Sequence, residues 1–107
     1  MEIYGLKNCD KCRGARRALH LSNIIDIIKE PIPEKLLQAA FLTFGEQLIN
    51  RSSTTWRALS DIEKGSDPLT LLKNYPKLMK RPLIKTAGGQ LFIGWSEDVR
   101  SAVIRAN

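Results

Sequence analysis

Cys9 and Cys12 are the only cysteines of this 107-residue chain, and they lie three apart in the run Tyr4-Gly5-Leu6-Lys7-Asn8-Cys9-Asp10-Lys11-Cys12. A thiol at the first turn of a helix feels the partial positive charge of backbone N–H groups that lack helical partners. That charge favours thiolate over thiol and makes the sulfur a nucleophile. A second thiol one turn later can attack whatever adduct the first one forms, which is the chemistry of thiol–disulfide exchange. Two other readings share the spacing. Free cysteines are commonly buried and inert, and a zinc site needs four ligands, toward which the chain adds a single histidine, His20.

The surroundings of the pair are basic. Seventeen Lys and Arg against eleven Asp and Glu give a net charge of +6 and a pI near 9.6, which points to anionic partners. The basic residues are spread along the chain, with the densest cluster at Arg13-Gly14-Ala15-Arg16-Arg17. On a helix, Arg13, Arg16 and Arg17 share one face while Cys12, Ala15, Ala18 and Leu19 line another, the pattern of a solvated side and a core side. No recognised nucleic-acid motif accompanies the cluster, so direct binding to nucleic acid is not expected. With 43% hydrophobic and 26% charged residues the composition is that of an ordinary globule. No stretch reaches the roughly 18 to 20 apolar residues of a membrane span. Met1-Glu2-Ile3-Tyr4-Gly5 is strand-like and unlike a secretory signal, so a cytoplasmic location with no membrane partner is expected. There a cysteine pair is more often catalytic or sensory than structural.

The elements that must position the pair follow from periodicity and punctuation. Glu2 to Gly5 reads as a strand, Asp10 to Leu21 as a helix and Ile24 to Ile28 as a second strand rich in β-branched residues. A helix crossover joins parallel strands with a right-handed turn, which makes this a βαβ unit. Pro31 and Pro33 break the pattern, and Pro33 opens a helix running to about Phe44 on Leu36, Leu37, Ala40 and Phe41, ended by Gly45. Short helical pieces follow at Glu46 to Ile49, Thr55 to Leu59 and Pro68 to Asn74, separated by Arg51-Ser52-Ser53 and Lys64-Gly65-Ser66-Asp67. They predict a helical insertion over about 33–78 within a single domain spanning 1–107. Pro82 to Lys85, the turn Ala87-Gly88-Gly89 and Gln90 to Gly94 read as an antiparallel hairpin. A last helix starts at Ser96, whose hydroxyl can cap it, and turns Val99, Ala102 and Val103 inward. The order βαβ, helical insertion, ββα is a thioredoxin-like α/β arrangement with a mixed sheet. Pro82 then begins a strand; a cis bond to Arg81 turns the backbone toward the Cys9 loop, and a plain trans proline is equally compatible with the sequence.

Four segments, in this order and over essentially the whole chain, resemble the arsenate reductase (ArsC), Spx and YffB group of thioredoxin-fold proteins. They are Tyr4 to Asp10, Thr54-Thr55-Trp56-Arg57-Ala58-Leu59, Lys80-Arg81-Pro82-Leu83 and Ile93-Gly94-Trp95-Ser96. The resemblance implies that Cys9 is the nucleophile, that Arg57 and Arg81 lie near it, and that Pro82 is cis. Guanidinium groups grip oxyanions in a two-pronged geometry and lower a neighbouring thiol's pKa. Lys7, Asn8 and Lys11 flank the nucleophile and, with Pro82, are the expected substrate-binding positions. The Thr-Thr-Trp-Arg run matches the YffB-like branch best. Gly94 stands where the arsenate reductase branch has a third arginine, and Gly5 where that branch has a histidine; both weigh against arsenate as substrate. The Spx branch shares the cysteine pair and has a glycine near Gly45, but extends a tail beyond its last helix.

The function expected is therefore a thiol-dependent reductase acting on a disulfide or an oxyanion such as arsenate. Glutathione is its expected reductant, glutaredoxin a candidate partner, and no metal or tightly bound cofactor is called for. The alternative is an Spx-like redox sensor that binds the C-terminal domain of the RNA polymerase α-subunit.

Overall fold

The computed structural model describes residues 1–106. Along the chain the elements are β1 (Glu2–Gly5), α1 (Asp10–Ala18), β2 (Ile25–Asp26), α2 (Glu34–Phe44), α3 (Thr54–Arg57), α4 (Asp61–Lys64), α5 (Pro68–Asn74), β3 (Leu83–Lys85), β4 (Leu91–Ile93) and α6 (Glu97–Ala106). They fall into two compact units. One comprises Met1–Glu30 with the chain from Arg81 onward, and the other Pro31–Lys80.

The first unit holds a four-stranded mixed sheet in the order β2-β1-β3-β4. β1 pairs in parallel with β2, Tyr4 opposite Ile25, and antiparallel with β3, Ile3 opposite Ile84. β3 and β4 form the expected antiparallel hairpin, Ile84 opposite Phe92. Ile3, Tyr4 and Gly5 are buried in succession, the signature of a central strand covered on both faces. Ile3, Ile24 and Ile84 pack with Cys12 and Ala15 of α1 and Val103 of α6, and Leu19, Trp95 and Val99 close around them. Full burial of such an aliphatic side chain is worth about 1.5–3 kcal/mol, so α1 is held by the same face that carries Cys12.

Four elements of this unit are shorter than the sequence predicts: β3 begins at Leu83 rather than Pro82, β4 covers Leu91–Ile93 rather than Gln90 to Gly94, and α1 and β2 are cut back as follows. α1 ends at Ala18 rather than Leu21 because His20 turns left-handed (φ 55°), and the N–H groups of Leu19 and Leu21 fold back to Ala15 O and Arg16 O, each at 3.0 Å. β2 covers Ile25–Asp26 rather than Ile24 to Ile28. The Asp26 carboxylate accepts the N–H of Ile28 (2.9 Å) and of Lys29 (3.4 Å), and Asp26 O accepts that of Glu30 (2.8 Å), which diverts the ladder donors into a turn.

In the second unit α2 ends at Gly45 (φ 59°), which starts a 3-10 turn over Gly45–Leu48, so the piece expected at Glu46 to Ile49 begins one residue earlier. α3 covers Thr54–Arg57 rather than Thr55 to Leu59, since the Ser53 hydroxyl accepts the N–H of Trp56 (3.1 Å) and sets the start. α5 has the predicted bounds. α4 is an element the sequence pattern does not announce, because four residues carry little periodicity. A capping box makes it, with Ser60 Oγ accepting the Glu63 N–H (3.1 Å) and the Glu63 carboxylate accepting the Ser60 N–H (3.0 Å).

Candidate active site

β1 delivers the chain to a short loop, Leu6 to Asn8, whose closing hydrogen bond runs from Cys9 N–H to Leu6 O (3.2 Å). Cys9 is the residue that precedes α1, in extended conformation, and its carbonyl takes the first helical bond, from Arg13 N–H at 2.9 Å. Its sulfur forms no complete capping hydrogen bond, but the partial charge of the first-turn N–H groups acts on it. Partial burial works to raise the Cys9 pKa. The backbone N–H of Cys12, the Cys12 thiol, the backbone N–H of Lys11 and the positive charge of Arg81 together outweigh it, so the Cys9 thiol lies below its ordinary value.

Cys12 is the opposite case. It sits one turn on, on the core face of α1, with no solvent exposure. Burial pushes its thiol up to about 12, helped by the hydrogen bond it donates toward the Cys9 sulfur and by Cys9's negative charge, while Leu6 N–H and Arg81 pull the other way. Both cysteines are free thiols. One sulfur is shifted toward the thiolate and its neighbour toward the protonated thiol, the direction that suits an attacking and a waiting thiol.

Arg81 precedes Pro82 at the head of β3, and the peptide between them is cis, the isomer the resemblance implies. Pro82 is buried, and its carbonyl accepts the Gly94 N–H at 2.9 Å. Gly94 has φ 79°, so glycine at that position is required by the backbone, and an arginine there would be strained. Lys7, Asn8 and Lys11 are exposed around the Cys9 loop. Lys7 also lines an open groove beside β2 with Lys29, Asp26 and Glu30, where bases and acids offset each other. Arg57 belongs to the second unit, on α3, and its guanidinium donates to Ser52 O at 2.9 Å. In the same unit two cations lie over the Trp56 ring, Arg51 at 5.1 Å and Lys64 at 5.7 Å from its centre.

Two contributors have no role that the sequence pattern assigns. Leu6 acts through its main chain, which no side-chain pattern reveals. Gly5 lies against Cys12, and only its position seven residues before that cysteine hints at contact. Among the described residues no group of three or more His, Cys, Asp and Glu is placed to hold a metal ion, and no helix is long and apolar enough to cross a membrane.

The family model described as "ArsC family" matches residues 4–103. The chain belongs to the ArsC family. It is 36% identical over 104 residues to a Haemophilus influenzae protein described only as uncharacterized, covering 89% of this chain and 90% of that one. A solved YffB protein matches with a TM-score of 0.81 at 26% identity, over 94% of this chain and 96% of the other. The solution structure of an arsenate reductase (ArsC) related protein from Brucella melitensis matches with a TM-score of 0.68 at 30% identity, over 98% and 96% of the two chains. The fold is thus thioredoxin-like, as the element order predicts, and ArsC family membership supports thiol-dependent reductase chemistry at the level of the family.

Proposed function

We propose that this ArsC family chain is a cytoplasmic, glutathione-linked thiol–disulfide reductase in which Cys9 attacks and Cys12 resolves. The observation that carries this reading is the contrasting placement of two thiols three residues apart, Cys9 at the start of α1 with its pKa lowered and Cys12 fully buried with its pKa raised to about 12. The Cys9 thiolate attacks one sulfur of a substrate disulfide, such as a glutathione mixed disulfide; a Cys9–substrate S–S bond forms, the original S–S bond breaks, and the leaving thiolate takes a proton from solvent. Cys9 is then neutral. Its charge no longer holds the proton on Cys12, whereas Arg81 continues to favour ionisation, so the Cys12 pKa falls at the step that needs it. Cys12 gives up its proton and attacks Cys9 Sγ, the second substrate thiol departs, and the two electrons lost by the cysteines have reduced the substrate. Two glutathione molecules reduce the Cys9–Cys12 disulfide and become glutathione disulfide, which balances the cycle.

Arg81 is the proposed anion-binding residue beside Cys9, with Lys7, Asn8, Lys11 and Pro82 as the proposed substrate-facing positions. Gly5 and Gly94 at the two places where the arsenate reductase branch carries His and Arg favour a disulfide over arsenate. The test is NADPH oxidation coupled through glutathione, glutathione reductase and a glutaredoxin, with a small glutathione mixed disulfide and, separately, arsenate. Turnover with the disulfide that disappears in Cys9→Ser is the expected result. No turnover above that control overturns the reductase. The Spx-like alternative then predicts that reduced and oxidised forms bind the C-terminal domain of the RNA polymerase α-subunit with different affinity. Its link to Gly45 is weak, because φ 59° accounts for that glycine.

A further inference from the structure

We infer that Gly5 is a positioning residue for the second thiol: the side chain missing at position 5 is the space that Cys12 Sγ fills in this chain, so Cys12 as placed here requires glycine there. The inference rests on reading Cys9 and Cys12 as an exchange pair. Gly5 is buried at the end of β1, paired with Asp26, and it is not among the glycines with positive φ, so its backbone does not call for glycine. The requirement is steric. A Cβ built on Gly5 falls inside 3.0 Å of Cys12 Sγ, closer than real Cβ atoms come to anything. The same Cβ lies 3.4 Å from Cys12 Cβ and 3.8 Å from Ile24 Cγ2, which are ordinary contacts. One atom, the Cys12 sulfur, excludes a side chain at position 5.

Any shift of that sulfur has to be made inside the core. Cys12 is fully buried among Ile3, Ala15, Ile24, Ile84 and Val103. Turning it away from position 5 also removes it from the Leu6 N–H and from Cys9, the two groups it meets through hydrogen bonds. Any side chain at position 5 therefore does two chemical things at once. It withdraws the S–H donor that favours the Cys9 thiolate, and it moves the resolving sulfur off its line to Cys9. Gly5 touches no substrate and acts only through Cys12.

The experiment compares the reduced full chain with Gly5→Ala, Cys12→Ala and the double variant Gly5→Ala/Cys12→Ala. Three quantities are read: the pH profile of Cys9 alkylation, the lifetime by mass of the Cys9–glutathione adduct formed with glutathione disulfide, and the urea midpoint. Gly5→Ala should lengthen the adduct lifetime at least tenfold and move the alkylation profile to higher pH, onto that of Cys12→Ala. The double variant should regain the urea midpoint that Gly5→Ala loses, because alanine at position 12 removes the one clashing atom; this is a strongly non-additive pair. If Gly5→Ala alone fails to fold, folding of the double variant supports the inference, and failure of both overturns it. Wild-type adduct lifetime and alkylation in Gly5→Ala, or additive destabilisation in the double variant, also overturn it. None of these readouts needs substrate turnover, so an inactive coupled assay sinks the reductase reading while leaving this one standing.

Discussion

Alkaline pH should destabilise the native chain through Cys12, and Cys12→Ala should remove that part of the effect. In the unfolded chain the thiol titrates at its ordinary 9.0, whereas burial holds it at about 12 in the fold. Between those values the unfolded chain has released a proton that the folded chain keeps, so the folded state binds more protons and stability falls as pH rises. Below pH 9 the contribution is intact, and it is lost progressively toward 12. Each pH unit inside the window is worth about 1.4 kcal/mol, so wild type should lose roughly 3 kcal/mol through this group between pH 8 and 11. That is a large share of the ~5–15 kcal/mol by which small domains are stable. Tyr4 adds to the decline above pH 10. Burial and its hydrogen bond to Glu2 (3.1 Å) raise it from 10.0 to about 12, but it is present in both proteins and cancels in the comparison. Cys9 works in the other direction: its lowered pKa adds stability as pH rises toward 9.0 and saturates above, so it leaves the upper window untouched. Urea unfolding in excess reductant at pH 8, 9, 10 and 11, at fixed ionic strength, measures the difference between wild type and Cys12→Ala directly. The absolute cost of losing the sulfur is the same at every pH, so only the change of the gap with pH reports the Cys12 proton. Parallel curves from pH 9 to 11 would refute the claim that the fold holds the Cys12 proton.

Two further predictions concern the charge beside the site and the core beneath it. Arg81→Gln should move the Cys9 alkylation profile to higher pH, and the difference from wild type should shrink in 1 M salt, where charges are screened within ~3 Å; coincident profiles at low salt would show that Arg81 does not act on Cys9. Ile84→Ala should cost about 2–5 kcal/mol in urea unfolding, since Ile84 is fully buried at the centre of the packing that holds β1, α1 and α6 together, and a cost below 1 kcal/mol would mean that the core collapses around the gap.

The parts of this molecule that are legible in the sequence are those where one residue type has one physical use. Short apolar runs mark all four strands, Pro68 and Ser96 mark two helix starts, and Cys9 falls before the first helix as its spacing requires. The illegible parts depend on local hydrogen bonds that compete with periodicity. Asp26 sits inside an apolar run that reads as a strand, yet its carboxylate captures the following N–H groups and ends the strand after two residues. His20 ends α1 in a left-handed conformation that glycine or asparagine would have advertised and histidine does not. At the site, the cysteines are evident, but their opposite pKa shifts are not. They arise from burial of Cys12 and from the Cys12 and Lys11 main-chain donors that act on Cys9, which leave no mark on side-chain pattern.

Gly5 and Gly94 show how the same two departures from the arsenate reductase pattern can have separate physical causes and a joint chemical result. Gly94 is glycine because the backbone after β4 takes φ 79° and gives its N–H to Pro82 O. Gly5 is glycine because the Cys12 sulfur occupies the volume its side chain would need. A guanidinium at position 94 would strain the hairpin end, and an imidazole at position 5 would displace the second thiol. The scaffold therefore cannot hold its present dithiol and also carry both of those cationic or proton-donating side chains without rearrangement. A site that resolves its adduct with an internal cysteine has less need of the extra groups that bind and protonate an oxyanion, because the leaving sulfur of a disulfide departs readily as thiolate. On this argument, restoring histidine at position 5 should be tolerated only when Cys12 is replaced by a smaller residue, and the resulting chain should depend on external glutathione to clear every adduct from Cys9.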